Sequence, residues 1–195
     1  MTMLILGLIL FLGVHSVRVF GEGWRTTMRH KLGDNGWKGV YSVLSVAGFV
    51  LIVYGYAATR ESPQILWIAP VWTRHVAALL TIPAFVLLVA AYVPGNSIKA
   101  RLHHPMVLAV KLWAFSHLVA NGMLADLLLF GGFLAWSALS FRAARGRDRA
   151  AGTVYPPGRL VPTVVTVAAG LAAWAFFAFW AHGAWIGVKP FGGGG

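Results

Sequence analysis

Six long apolar runs, at about 3–20, 40–58, 74–93, 105–121, 123–141 and 161–186, take up most of this 195-residue chain. A helix rising 1.5 Å per residue needs ~20 residues to cross a ~30 Å hydrocarbon core, and most of the runs approach or exceed that length. Charged residues make up 11% of the chain and apolar ones 58%, whereas a soluble domain carries about 25% charged residues. The pattern predicts an all-α fold, an integral membrane bundle of six transmembrane helices. The runs leave no room for a soluble domain beside them, so residues 1–190 form one domain. The tail 191–195, FGGGG, has no bulky side chain after Phe191 and is expected to be disordered.

The fourth and fifth runs are separated only by Asn121-Gly122. Joined, they would make about 37 residues, too long for a single span even when tilted. Asp126 lies just beyond the break and marks a short turn at the membrane surface. The first run lacks the basic leader and small-residue cleavage site of a signal peptide, so it is expected to remain as a helix.

Charge supplies the orientation. Segments 18–38, 94–104 and 141–160 hold five, two and five Lys or Arg, while Arg60, Arg74 and Lys189 are the three on the opposite side. By the positive-inside rule the basic segments face the cytoplasm and both termini lie on the non-cytoplasmic side. The net charge of +11 therefore reads as topology signal and lipid-phosphate contact, with no nucleic-acid-reading motif beside it. Segment 59–73 carries two prolines and the interfacial candidates Trp67 and Trp72, and is expected as an outer loop. RAARGRDRA at 142–150 reads as a solvated loop in preference to a helix extension touching anionic lipid.

The chain has no cysteine, which excludes disulfides, thiolate metal sites, Cys-ligated haem and iron–sulfur clusters. It has seven histidines. His30 sits among basic loop residues, and His75 and His182 lie near span ends where an amphipathic ring keeps its polar edge wet. His103 and His104 precede Pro105, a natural helix entry. There the alternatives are an interfacial cap and a contact with an anion such as a haem propionate.

His15 and His117 lie inside apolar runs. Ionisable groups at that depth are costly and usually face a bundle interior. Each is either a neutral histidine bonded to a neighbouring helix or a metal ligand, and a pair on different helices suits a haem iron. Counted from the cytoplasmic ends, His15 is ~8 Å deep and His117 ~18 Å deep, a gap that tilt or an extension of the first helix toward Trp24 would narrow. Spacing leaves both His117 and His104 open as partners of His15. Arg18 lies about one turn nearer the cytoplasm than His15, placed to meet a propionate. Zinc held by several histidines has no spacing motif behind it.

The segments His15-Ser16, His103-His104-Pro105 and FSHLVANG at 115–122 together resemble the NnrU family of membrane proteins, from the first helix to the last. That family is similar to the 15-cis-zeta-carotene isomerases, which are haem b enzymes. By motif, the resemblance implies His15 and His117 as axial haem ligands in a multi-pass protein of the bacterial inner membrane. It implies a role supporting denitrification, accessory or electron-transferring, with nitrite or nitric oxide reduction enzymes as partners besides membrane lipids. The alternative is a haem-dependent cis–trans isomerase acting on a carotenoid-like polyene. The relatives carry a cysteine three residues before the second ligand, where this chain has Ala114, so chemistry needing that thiol is excluded. The arginine of the relatives' RHP-type signature is replaced by His103. That signature also occurs in membrane methyltransferases, but no acid follows Asp148 here to complete such a site.

Overall fold

The computed structural model describes residues 1–191, and these are almost entirely helical. In chain order the helices are α1 (Thr2–Phe20), α2 (Glu22–Thr59), α3 (Trp72–Tyr92), α4 (Ser97–Leu102), α5 (Pro105–Ala120), α6 (Leu124–Ala150) and α7 (Leu160–Phe176). A π-helical segment, Phe177–Ile186, continues α7. The tail expected to be disordered falls, from Gly192 onward, outside the described residues. Five helices are long and apolar enough to cross a membrane: α1, α2, α3, α6, and α7 with its π extension. The run expected as the fourth span is α5, which has 16 residues and so measures ~24 Å.

Local chemistry explains the boundaries. Gly21, at φ −131° and ψ 40°, stops α1, so α1 does not extend toward Trp24. Pro105 occupies the first turn of α5, where its missing N–H costs nothing. The Asn96 side chain accepts from Lys99 N at 2.7 Å and caps α4. In the π segment residues five apart fall into register, which pairs Phe177 with His182 at 5.7 Å and Trp180 with Trp185 at 6.1 Å.

Two stretches expected as loops are helical. Residues 22–39 belong to α2, which bends at Gly33, where φ is +70°. Residues 142–150 are the last turns of α6. Apolar periodicity stops at residue 141, but Ala143, Ala144 and four arginines are adequate helix formers, and Arg147 and Arg149 in the final turn suit the helix dipole.

The long helices pack in the lateral order α2–α1–α6–α5–α3–α7. Leu4, Leu8, Ile52, Ala114, Ala125, Leu129 and Phe130 form the buried core. Large side chains such as Ile9, Val43, Leu79 and Val161 are each at least 66% exposed, an apolar exterior that only a hydrocarbon solvent accommodates. Small residues set the closest approach, as is general between membrane helices. A Cβ on Gly48 of α2 would stand 2.8 Å from Phe11 N, and one on Gly7 of α1 would stand 2.6 Å from Ile52 N.

Hydrogen bonds knit each end. At the basic end, Arg147 donates to Arg18 O (3.0 Å) and Arg159 N to Gly95 O (2.8 Å). At the other end, Leu66 N and Trp67 N donate to Gly122 O, folding the 60–71 loop over the α5–α6 turn. Asp126, expected at the surface, is 1% exposed. It accepts from Tyr56 Oη (2.5 Å) and Met123 N (2.9 Å) at the N-terminus of α6, where the helix dipole favours a carboxylate.

The α1–α2 contact is directly testable. Gly48→Val should cost about 1–3 kcal/mol by overpacking, read as a lowered melting temperature in detergent. Gly13→Ala, with nothing within 4 Å of the added Cβ, should leave the midpoint unchanged or raised. Equal midpoints for Gly48→Val and the parent would show that the helices do not approach this closely.

Candidate cofactor-binding cavity

His15 lies on α1, five residues before its end. Its Nδ1 is 2.7 Å from Phe11 O; since a carbonyl only accepts, the ring donates from Nδ1 and its Nε2 carries the lone pair. The ring stacks on Phe11 at 4.2 Å and lies 5.3 Å from Tyr41 and 6.1 Å from Trp136. His117 on α5 repeats the arrangement, donating from Nδ1 to Trp113 O at 2.8 Å. A hydrogen bond at one nitrogen fixes which nitrogen is free to ligate. Both intramembrane histidines therefore present Nε2 as a donor atom.

Their surroundings differ. His15 lines a cavity of about 440 Å³ at the basic end, bounded by α1, α5, α6 and the segment after α6. Arg18, His104, Trp136, Ser140, Arg147 and Asp148 share its wall. His117 lies outside that wall, stacked on Phe130 at 4.7 Å and beside Trp113 at 5.2 Å. Between the two histidines are the rings of Phe11, Phe133 and Trp113, with successive centroids 5.7 and 5.6 Å apart. Of the four residues singled out from the sequence, the fold brings His15, Arg18 and His104 together and sets His117 behind an aromatic partition.

His104 is tied to a neighbour on the same cavity wall. Its Nε2 meets Asp148 Oδ2 at 2.7 Å, and Tyr155 Oη donates to the same oxygen at 3.0 Å. His103, at φ +68°, stacks parallel on Tyr155 at 4.1 Å and takes a hydrogen bond from Arg145. Burial works to raise the Asp148 carboxyl, but the bonds from His104 and Tyr155, with the His104 and Arg145 charges, hold it below its usual range. Burial, then the bond to Asp148 and its charge, push the Tyr155 phenol above its usual range.

Trp136 and Ser140 belong to the cavity lining, and Trp136 Nε1, Ser140 Oγ and, away from the cavity on α2, Ser45 Oγ are buried with no hydrogen-bond partner among the described residues. Other hydroxyls in the spans are satisfied by their own helix: Ser116 donates to Trp113 O, Ser137 to Leu134 O and Thr166 to Pro162 O. Unpaired buried donors are costly, so the wall suits a ligand with polar edges.

An imidazole nitrogen, two flanking guanidiniums and unclaimed donors on an apolar wall fit a haem: nitrogen for the iron, Arg18 and Arg147 for the propionates. No group of three or more His, Cys, Asp or Glu with metal-site geometry occurs among the described residues. His30 and His75 are exposed, and His182 donates to Val188 O at 2.6 Å, as their positions led one to expect.

Trp136, Ser140, Arg147 and Asp148 escaped the sequence reading. The available signal was the spacing of 136, 140, 144 and 148, which lie on one helix face once α6 is carried past residue 141.

Compared with known proteins, the chain matches the family model described as NnrU protein over residues 3–190. No curated protein and no solved structure matches it.

The Asp148–Tyr155 contact makes a pH prediction. Removing the charge with Asp148→Asn should bring the Tyr155 phenol down toward its usual ~10, leaving only the burial contribution. Site-labelled tyrosine NMR across alkaline pH measures this, and an unmoved Tyr155 titration would show that the carboxylate does not act on it.

Proposed function

The chain belongs to the NnrU family, and we propose that it is a haem b-binding protein of the bacterial inner membrane that supports denitrification in an accessory or electron-transfer role. In this reading α5 also spans, as the fourth of six, both termini lie outside the cytoplasm, and the cavity opens at the cytoplasmic end. The twelve-to-three distribution of Lys and Arg supports that orientation.

The observation that carries the haem reading is the cavity beside His15, where an unclaimed imidazole nitrogen shares a wall with Arg18, Arg147 and the unpaired Ser140 and Trp136 donors. His15 would hold the iron, with His117 by motif or His104 by place as the second histidine. Arg18 and Arg147 lie at the end where propionates would reach the interface, as charge-assisted partners. Bound there, haem supplies reversible one-electron chemistry. Val107, Trp136 and Ala144 supply apolar parts of the wall, and the Phe11 carbonyl keeps the His15 proton on Nδ1.

Electron transfer is preferred to polyene isomerisation because of Ala114. It stands where the resembling isomerases have a cysteine, and it is fully buried in the helix core. No thiol exists there, and any side chain at that position is sealed from the cavity side.

Expression with haem supplied should give a protein with a Soret band. His15→Ala should remove most of it and His30→Ala none. A parent protein colourless under those conditions, yet monodisperse and helical, would rule the reading out.

A further inference from the structure

We propose that the nitrogen opposite His15 comes from His104, positioned by Asp148, and not from His117. The inference rests on the haem reading above and concerns which of this chain's own residues complete the site.

Three observations lead to it. The first is the scale along α6. His15 stands beside Trp136, His104 beside Phe141 at 6.1 Å and His117 against Phe130 at 4.7 Å. At 1.5 Å per residue the two candidate partners are offset from His15 by similar axial distances, ~7.5 and ~9 Å. Depth therefore does not separate them.

The second observation does. The interval toward His104 is the cavity itself, walled by the small residues Ser140 and Ala144 with Val107. The interval toward His117 is filled by Phe11, Phe133 and Trp113 in ring contact. A flat macrocycle enters the first interval without moving a ring. Reaching His117 from His15 requires displacing closely packed aromatics, each burying ~150–250 Å².

The third is the anchoring of His104. Its Nε2 is engaged by Asp148 at 2.7 Å, and Asp148 is in turn held by Tyr155 at 3.0 Å. That leaves Nδ1 as the nitrogen with no partner among the described residues. Asp148 shares the cavity wall with His104, and a carboxylate bonded to the other nitrogen of a ligating imidazole fixes the ring and raises its basicity, as is typical of metal-bound histidine. Asp148 is thus a positioning residue. It also explains why a single acid sits among the arginines at the end of α6.

The test is the axial signature of the purified, haem-replete full-length protein, read by absorption and electron paramagnetic resonance. The parent should be six-coordinate and low-spin. His104→Ala should convert it to a high-spin form that free imidazole restores, and Asp148→Asn should weaken the low-spin signature without removing haem. His117→Ala should keep the parent spectrum. Should His104→Ala fail to fold, His104→Met keeps a ligand and must give a bound but altered haem spectrum. The assignment is overturned if His117→Ala gives the high-spin form while His104 variants match the parent. A parent that takes up no haem overturns the underlying reading together with this one, and is distinguished by the missing Soret band.

Discussion

Inside hydrocarbon no water is present to satisfy a polar group, and this constraint organises the molecule. Backbone N–H and C=O groups close on themselves as helices. Hydroxyls in the spans follow the same rule: Thr59, Thr81, Ser116, Ser137 and Thr166 each donate to a carbonyl three or four residues back. The two intramembrane histidines obey it through Nδ1, and buried Asp126 obeys it through Tyr56 and the start of α6. Ser45, Trp136 and Ser140 depart from that rule, each with one buried polar atom unpaired among the described residues, and the last two belong to the cavity lining.

Packing then decides where space is available. Glycines let α1 and α2 approach until side chain meets backbone, and aromatic rings fill the region around Phe11, Trp113, Phe130 and Phe133. Small residues on α6, Ser140 and Ala144, leave an opening of about 440 Å³ at the basic end. An interior this closely packed does not yield a second opening cheaply. The same aromatic region that stabilises the bundle thereby separates His117 from His15, although the two histidines have the same local hydrogen bonding.

Much of this was legible from residues alone. The break at Asn121-Gly122 appears as the turn between α5 and α6, and the proline-bearing outer segment lies between α2 and α3. The reading stopped short where apolarity stopped being informative. Residues 22–39 and 142–150 are polar yet helical, because their helicity comes from propensity and capping, which hydropathy does not register. That cost the assignment of Arg147 and Asp148, which face the cavity only when α6 continues. Nor does local sequence announce the π-helical register of Phe177–Ile186, which follows from how bulky rings five residues apart come to pack.

The sequence by itself determined that the chain is a helical membrane protein, where its apolar helices lie, which end is basic, and that His15 and His117 stand within apolar runs. These follow from transfer free energies of single residues, which are local and additive enough to read along a string. Only the tertiary structure decided which histidine shares a cavity with His15. That depends on which side chains fill the space between three helices, α1, α5 and α6, brought together from positions 15, 104 and 140–148. Steric exclusion between residues distant in the chain has no counterpart in one-dimensional spacing, and it sets His104 beside His15 while enclosing His117 among rings.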